Sequence, residues 1–194
     1  MTYDPEKHHR RSIRLKDYDY SQAGAYFLTI CTYNRECTLG DVVDGVIVLN
    51  DFGKIVESVW SDLPKHYSDV RLDAFIIMPN HVHSIIFIVG ANVRAGFKPA
   101  PTTNKRHPLS ELVRGFKTFS SRCVNEIRGL SGTPVWQRNY YEHIIRNEKD
   151  LNEIREYIVN NPTKWEMDEE NPRNIKVGEG FKPAPTGKFK QYGE

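Results

Sequence analysis

Residues 75–87 read FIIMPNHVHSIIF. Two apolar runs meet at Pro79-Asn80, a pair suited to a tight connection because proline presets φ and asparagine tolerates turn backbone. Followed outward, the runs predict strands over 70–78 and 82–89, lying antiparallel. Both are nearly apolar on both faces, as central strands covered by helices should be. The second strand carries His81 and His83. Residues i and i+2 of a strand share a face, so both imidazoles point the same way. Buried in apolar sequence they need partners, and either a shared cation or a mutual hydrogen-bond network would serve.

Upstream, residues 25–33 (AYFLTICTY) are aromatic and β-branched and predict a strand. Residues 42–49 predict a short strand or hairpin around Asp44-Gly45. Asn50 or Asp51 caps a helix to about residue 67, with Ile55, Val59 and Leu63 at helical spacing. Downstream, 90–107 is a Gly/Pro/Lys loop, and 108–129 is a basic amphipathic helix with Leu109, Leu112, Phe116, Phe119 and Val124 near one side. Residues 135–146 (VWQRNYYEHIIR) predict a strand. Asn147 caps a last helix, acids fill its first turn, and Pro162 stops it after Asn160 or Asn161. The order β, β, α, β, β, α, β, α predicts an α+β fold, a ferredoxin-like antiparallel sheet with helices packed on it. The expected organisation is a basic N-terminal arm (1–24), one domain (25–165) with a loop insertion (91–107), and a loose tail (166–194).

Composition narrows the class. The 194 residues are 39% hydrophobic and 27% charged, enough for one core, with a net charge of only +2. The distribution says more: residues 105–128 hold six basic side chains against two acids, and residues 1–16 hold five against two. One positive face suited to a phosphate backbone would explain both stretches, as would two solvated surfaces. Three cysteines without C-x-x-C spacing argue against a disulfide framework or structural zinc, and fit a reducing cytoplasm. No run reaches the ~18 apolar residues of a membrane span, so no membrane partner is expected.

In the last helix, 100° per residue puts Leu151, Ile154 and Ile158 on one stripe, with Tyr157 and Asn161 one turn apart on its edge. A phenol and an amide carbonyl facing inward could supply a nucleophile and a metal ligand. They could equally be a packed aromatic and a helix terminus. Tyr140 and Tyr141 are further phenols, and strand alternation puts them on opposite faces. Glu142 and His143 likewise face apart and form no dyad.

Together, MPNHVH on a strand, a WQ-led strand and a following YIVNNP helix resemble the single-tyrosine HUH transposases of the IS200-like group. The branch they resemble most is the REP-associated tyrosine transposases. The resemblance spans about residues 25–165 and excludes the 91–107 insertion and the tail. It implies that His81, His83 and Asn161 ligate a divalent ion, Mg²⁺ or Mn²⁺, and that Tyr157 is the nucleophile. It also implies a substrate of single-stranded DNA folded as palindromic hairpins, cut and rejoined through a 5′-phosphotyrosine link by a monomer or homodimer. Tyr140 and Tyr141 are the alternative nucleophiles. On charge alone, Arg114, Lys117 and Arg122, with Arg10, Arg11 and Arg14, are candidates to hold hairpin phosphates. The rival expectations are a non-catalytic DNA-binding protein on the same scaffold, a metal-dependent nuclease using water, and a structural domain with core histidines.

One repeat stands apart: Gly96-Phe-Lys-Pro-Ala-Pro-Thr102 recurs as Gly180-Phe-Lys-Pro-Ala-Pro-Thr186. Gly-Phe-Lys-Pro can be encoded GGT-TTC-AAA-CCT, whose GGTTT is the reverse complement of AAACC. Each copy is therefore expected to be a translated palindromic element, the alternative being a duplicated Pro-rich linker.

Overall fold

The structure, a computed structural model, describes residues 18–89, 107–168 and 171–174. Its centre is a four-stranded antiparallel sheet in the order β4-β5-β1-β6. The strands are β1 (Gly24–Cys31), β4 (Val70–Met78), β5 (His81–Ile88) and β6 (Tyr141–Ile145). β2 (Gly40–Val43) and β3 (Val46–Leu49) form a separate two-stranded hairpin. The predicted α+β architecture is therefore present; of the quoted stretch, β5 is a central strand, while β4, expected to be central too, lies at the edge of the sheet. The hairpin stands outside the main sheet: Val43, Val46 and Val48 face solvent, while Val42, Ile47 and Leu49 are half-buried.

Register sorts side chains onto two faces. Thr29 of β1 stands opposite His83 on one side and Tyr141 on the other. Thr29, Phe27, His81, His83, Ile85, Tyr141 and His143 therefore share a face, and Tyr26, Leu28, Ile30, Val82, Ile86 and Ile88 share the other. The second face is covered by α1 (Asp51–Ser61) and α3 (Leu109–Arg128). There Trp60 stacks on Phe75 at 5.1 Å and meets Phe116 edge-on at 5.2 Å. Asn50 caps α1 by accepting from the amides of Phe52 and Gly53, both at 3.0 Å. Gly53 leaves room for the Leu39 carbonyl, which any Cβ would strike. The helix expected to run to residue 67 breaks at Asp62. Pro64 lacks the amide that would continue the ladder, and a single turn, α2 (Leu63–His66), follows.

The first face is covered by α4 (Glu148–Val159), capped by Asn147, whose side chain accepts from the Asp150 amide at 2.8 Å. Leu151, Ile154 and Ile158 are buried against Ala25, Phe27, Ile85 and Ile145, the stripe the helical spacing predicts. Arg155 ties α4 to β4 through a two-pronged bond to Asp73, at 2.8 and 2.7 Å. That guanidinium holds the Asp73 carboxyl below the usual range.

The strand expected over 135–146 is shorter than predicted. Only Tyr141–Ile145 joins the sheet, and Trp136 makes one isolated bridge to Thr32. The carbonyls of Gln137 and Asn139 accept from the Lys117 ammonium at 2.9 and 2.8 Å, and the Trp136 indole donates to Ser120 at 2.9 Å. Backbone bonds from Tyr33 to Val135 and from Gln137 to Cys31 flank that bridge at 2.8 and 2.9 Å, and beyond them the bonds to α3 take over.

Of the expected arm, Tyr18 and Tyr20 pack against the core. Of the expected insertion, only His107 is described, bonded through both its amide and its ring to Asp69 at 2.8 Å. Residues 162–167 and 172–174 make short 3-10 turns, joined by the Asn171 amide donating to the Trp165 carbonyl at 2.9 Å. Both heptapeptide copies lie outside the described residues. Among the described residues no helix is long and apolar enough to cross a membrane.

Candidate metal and nucleophile site

The two histidines are neighbours on β5, with ring centroids 4.4 Å apart, and both are buried. Burial in the sheet drives the His83 pKa down to about 3 and holds that of His81 well below its ordinary value. Both are therefore neutral imidazoles, the form a metal requires. Nδ1 of His81 is 2.8 Å from Oδ1 of Asn80, and Nδ1 of His83 is 2.9 Å from Oγ1 of Thr29. The outward Nε2 of His81 has no hydrogen-bond partner.

α4 brings Tyr157 to this pair. Its hydroxyl lies 3.3 Å from Nε2 of His83, and its ring packs edge-on against Phe27 at 6.1 Å. Phe27 in turn stacks with His83 at 5.4 Å. Just past the helix the chain passes the second histidine, with Trp165 6.0 Å from the His81 ring. Asn161 lies between these contacts in the chain. It is 2% exposed, and its Oδ1 has no hydrogen-bond partner.

A buried carbonyl oxygen and a buried imidazole nitrogen, each without a partner, are costly in a folded chain. Each is an atom type that a cation can take as a ligand. No group of three His, Cys, Asp or Glu that could hold a metal occurs among the described residues. His81, His83 and the Asn161 amide oxygen are the donors the sequence nominated, and all three residues are buried. On ligand softness, two imidazoles favour Mn²⁺ over Mg²⁺.

The other sequence candidates divide. Tyr141 lies on the histidine face, edge-on to Phe27 at 6.3 Å, with its pKa raised by burial. Tyr140 packs into the opposite core beneath the Lys117 ammonium, 5.5 Å from its ring centre. Lys117 is a structural tie rather than a free cation: burial pulls its pKa down to about 8 and two carbonyls hold it. Arg114 and Arg122 are exposed on α3, which covers the face away from the histidines. Arg10, Arg11 and Arg14 lie outside the described residues. Sequence reasoning passed over Thr29, Phe27 and Trp165, which reach the histidines only through register and chain path. It also passed over Asn80, although the quoted stretch contains it.

No protein-family profile matches the chain. An uncharacterized protein of Haemophilus influenzae is 44% identical over 179 residues, covering 86% of this chain and 96% of that protein. A second protein of that organism, named as a candidate REP-associated tyrosine transposase, is 26% identical over 154 residues, covering 75% of this chain and 74% of that protein. Among solved structures, a REP-associated tyrosine transposase bound to a REP hairpin matches with a TM-score of 0.53 at 21% identity, over 80% of this chain and 74% of that one. That likeness shows a shared fold. A candidate transposase from Deinococcus radiodurans aligns with a TM-score of 0.44 at 18% identity, over 76% of this chain and 97% of that one.

Proposed function

We propose, for a chain that belongs to one family with the uncharacterized Haemophilus influenzae protein and is a distant relative of the REP-associated tyrosine transposases, that it cuts and rejoins single-stranded DNA at hairpin elements with Tyr157 as nucleophile. The observation that carries the reading is the Tyr157 hydroxyl, 3.3 Å from Nε2 of His83, on the face that holds both buried histidines.

His81, His83 and Asn161 would hold the cation. Bound Mg²⁺ or Mn²⁺ would polarise the scissile phosphate and offset the charge that develops there. The chain's own residues supply the rest. In this structure the Tyr157 hydroxyl lies 3.3 Å from Nε2 of His83. Tyr157 Oη attacks phosphorus, the bond to the leaving 3′-oxygen breaks, and that oxygen leaves as a hydroxyl. The 5′-phosphate remains on the tyrosine. Attack by another 3′-hydroxyl reverses the step and joins strands. Phe27 confines the phenol to one side, and the Arg155–Asp73 pair keeps α4 seated on the sheet.

The edge-on packing of Tyr157 against Phe27 favours a second reading, in which water attacks and the tyrosine only packs. One assay separates them: hairpin oligonucleotides carrying the palindrome encoded at 96–102 and its genomic flanks, with Mn²⁺, Mg²⁺ or EDTA. The expected result is a denaturation-resistant protein–DNA adduct that needs metal and is lost in Tyr157→Phe, with cleavage falling by roughly a thousandfold or more. Cleavage that survives Tyr157→Phe without an adduct would hand the reaction to water, and an adduct that survives it would hand it to Tyr141.

A further inference from the structure

We propose that Asn80 is a positioning residue that locks His81 in its Nδ1–H tautomer, leaving the lone pair of Nε2 for a ligand. The use of that lone pair rests on the metal-centred reading above; the tautomer itself does not.

An amide side chain has one donating and one accepting end, usually hard to tell apart. Here a third group decides. One end of Asn80, Nδ2, lies 3.1 Å from the backbone oxygen of Arg35. A carbonyl oxygen only accepts, so that end must be the NH₂. The other end, Oδ1, lies 2.8 Å from Nδ1 of His81. An amide oxygen also only accepts, so Nδ1 must carry the proton. A neutral imidazole has a single N–H. Nε2 of His81 therefore presents a lone pair, and it is the buried atom that has no partner.

The frame around Asn80 is over-determined. The residue is 0% exposed. Its backbone oxygen accepts from the amide of Thr32 at 2.9 Å and from the Thr32 hydroxyl at 3.0 Å. The following turn carries Asn34 and Arg35 at φ 52° and 57°, the left-handed region that arginine seldom visits. Such backbone persists where its surroundings hold it, and the carbonyl that Arg35 presents from it is the one that orients Asn80.

His83 shows the contrast. Its Nδ1 meets the Thr29 hydroxyl, which can donate or accept, so that contact leaves the tautomer of His83 undecided. Of the two imidazoles, only His81 meets a partner that dictates its proton. This is the arrangement by which an outer partner fixes a ligand's orientation and raises its basicity.

The test begins with metal-free wild-type protein labelled with ¹⁵N-histidine. Two-bond ¹H–¹⁵N correlation spectra should show His81 protonated at Nδ1 and bare at Nε2. In Asn80→Ala the Nε2–H form should appear, and Mn²⁺ affinity by calorimetry should fall about 10–100-fold. An Nε2–H tautomer in the wild type overturns the proposal. So does a folded Asn80→Ala with unchanged tautomer and affinity. Should Asn80→Ala fail to fold, the wild-type spectrum alone decides. A wild type that shows Nδ1–H on His81 but binds no Mn²⁺ upholds the role of Asn80 and defeats only the metal-centred function.

Discussion

The two faces of the central sheet are built from alternate residues of the same strands, yet they solve different problems. Under α1 and α3, Tyr26, Leu28, Ile30, Val82 and Ile86 pack with Trp60 and Phe116 into a continuous apolar core. Under α4 the sheet brings Thr29, His81, His83 and Tyr141 together beside a smaller apolar cluster. The first face contributes stability through area removed from water and close packing. The second gives part of its area to imidazoles and hydroxyls, so it removes less apolar surface from water. A protein with only the first kind of face would be steadier and chemically inert.

The largest break in this contrast should come from Trp60→Ala. It empties the stacked site between Phe75 and Phe116 and should cost about 3–5 kcal/mol, read as a drop in the denaturation midpoint. Metal affinity per folded molecule should not change.

Asn161→Ala should do the reverse. It removes an oxygen that has no partner, so the metal-free protein should keep its stability to within about 1 kcal/mol. Mn²⁺ affinity and metal-dependent cleavage should both fall roughly 100-fold. A large stability loss with unchanged affinity would make Asn161 a structural residue.

The faces should also fail at opposite ends of the pH scale. His81 and His83 are held neutral, with folded pKa values below the ordinary 6.5. Below that pH the unfolded chain binds more protons than the folded one. Stability should therefore be complete above about 6.5 and drain away as pH falls toward about 3, where His83 protonates in the fold. Tyr26, on the other face, has its phenol pKa raised above the ordinary 10.0, by burial first and then by its bond to Tyr18. Its contribution is complete below pH 10 and is lost as pH rises beyond it. Denaturation curves across the pH range should show both losses, with His83→Phe blunting the acid one.

The smallest effect should come from Arg114→Ala with Arg122→Ala, since α3 lies away from the histidines. Hairpin affinity should weaken only a few-fold, with the salt slope shallower by at most about 2. Cleavage of bound DNA should not change. A loss as large as that of Asn161→Ala would mean that DNA wraps both faces.

Much of this was legible in the chain. The stretch 75–87 specifies two strands and their turn because apolar runs and a Pro-Asn joint are local signals. The pairing of His81 with His83 follows from the period of two, and the inward edge of Tyr157 and Asn161 from the period of 3.6. Less legible was the segment from Trp136 to Tyr140, whose composition is that of a strand. The carbonyls of Gln137 and Asn139 go to Lys117, an acceptance that depends on a helix about 20 residues earlier in the chain. For the same reason Lys117, one basic residue among several in the sequence, proves to be a structural tie.

By itself, then, the sequence determined the elements, their order, and which side chains share a face, since those follow from backbone periods and local turn chemistry. Only the tertiary structure decided that α3 and α4 lie on opposite sides of the sheet, separating the basic helix from the histidines. It alone set Thr29 beside His83, the Arg35 carbonyl against Asn80, and the Tyr157 hydroxyl on Nε2. Those contacts join residues dozens of positions apart, and their geometry depends on strand register and helix packing, which no local pattern encodes.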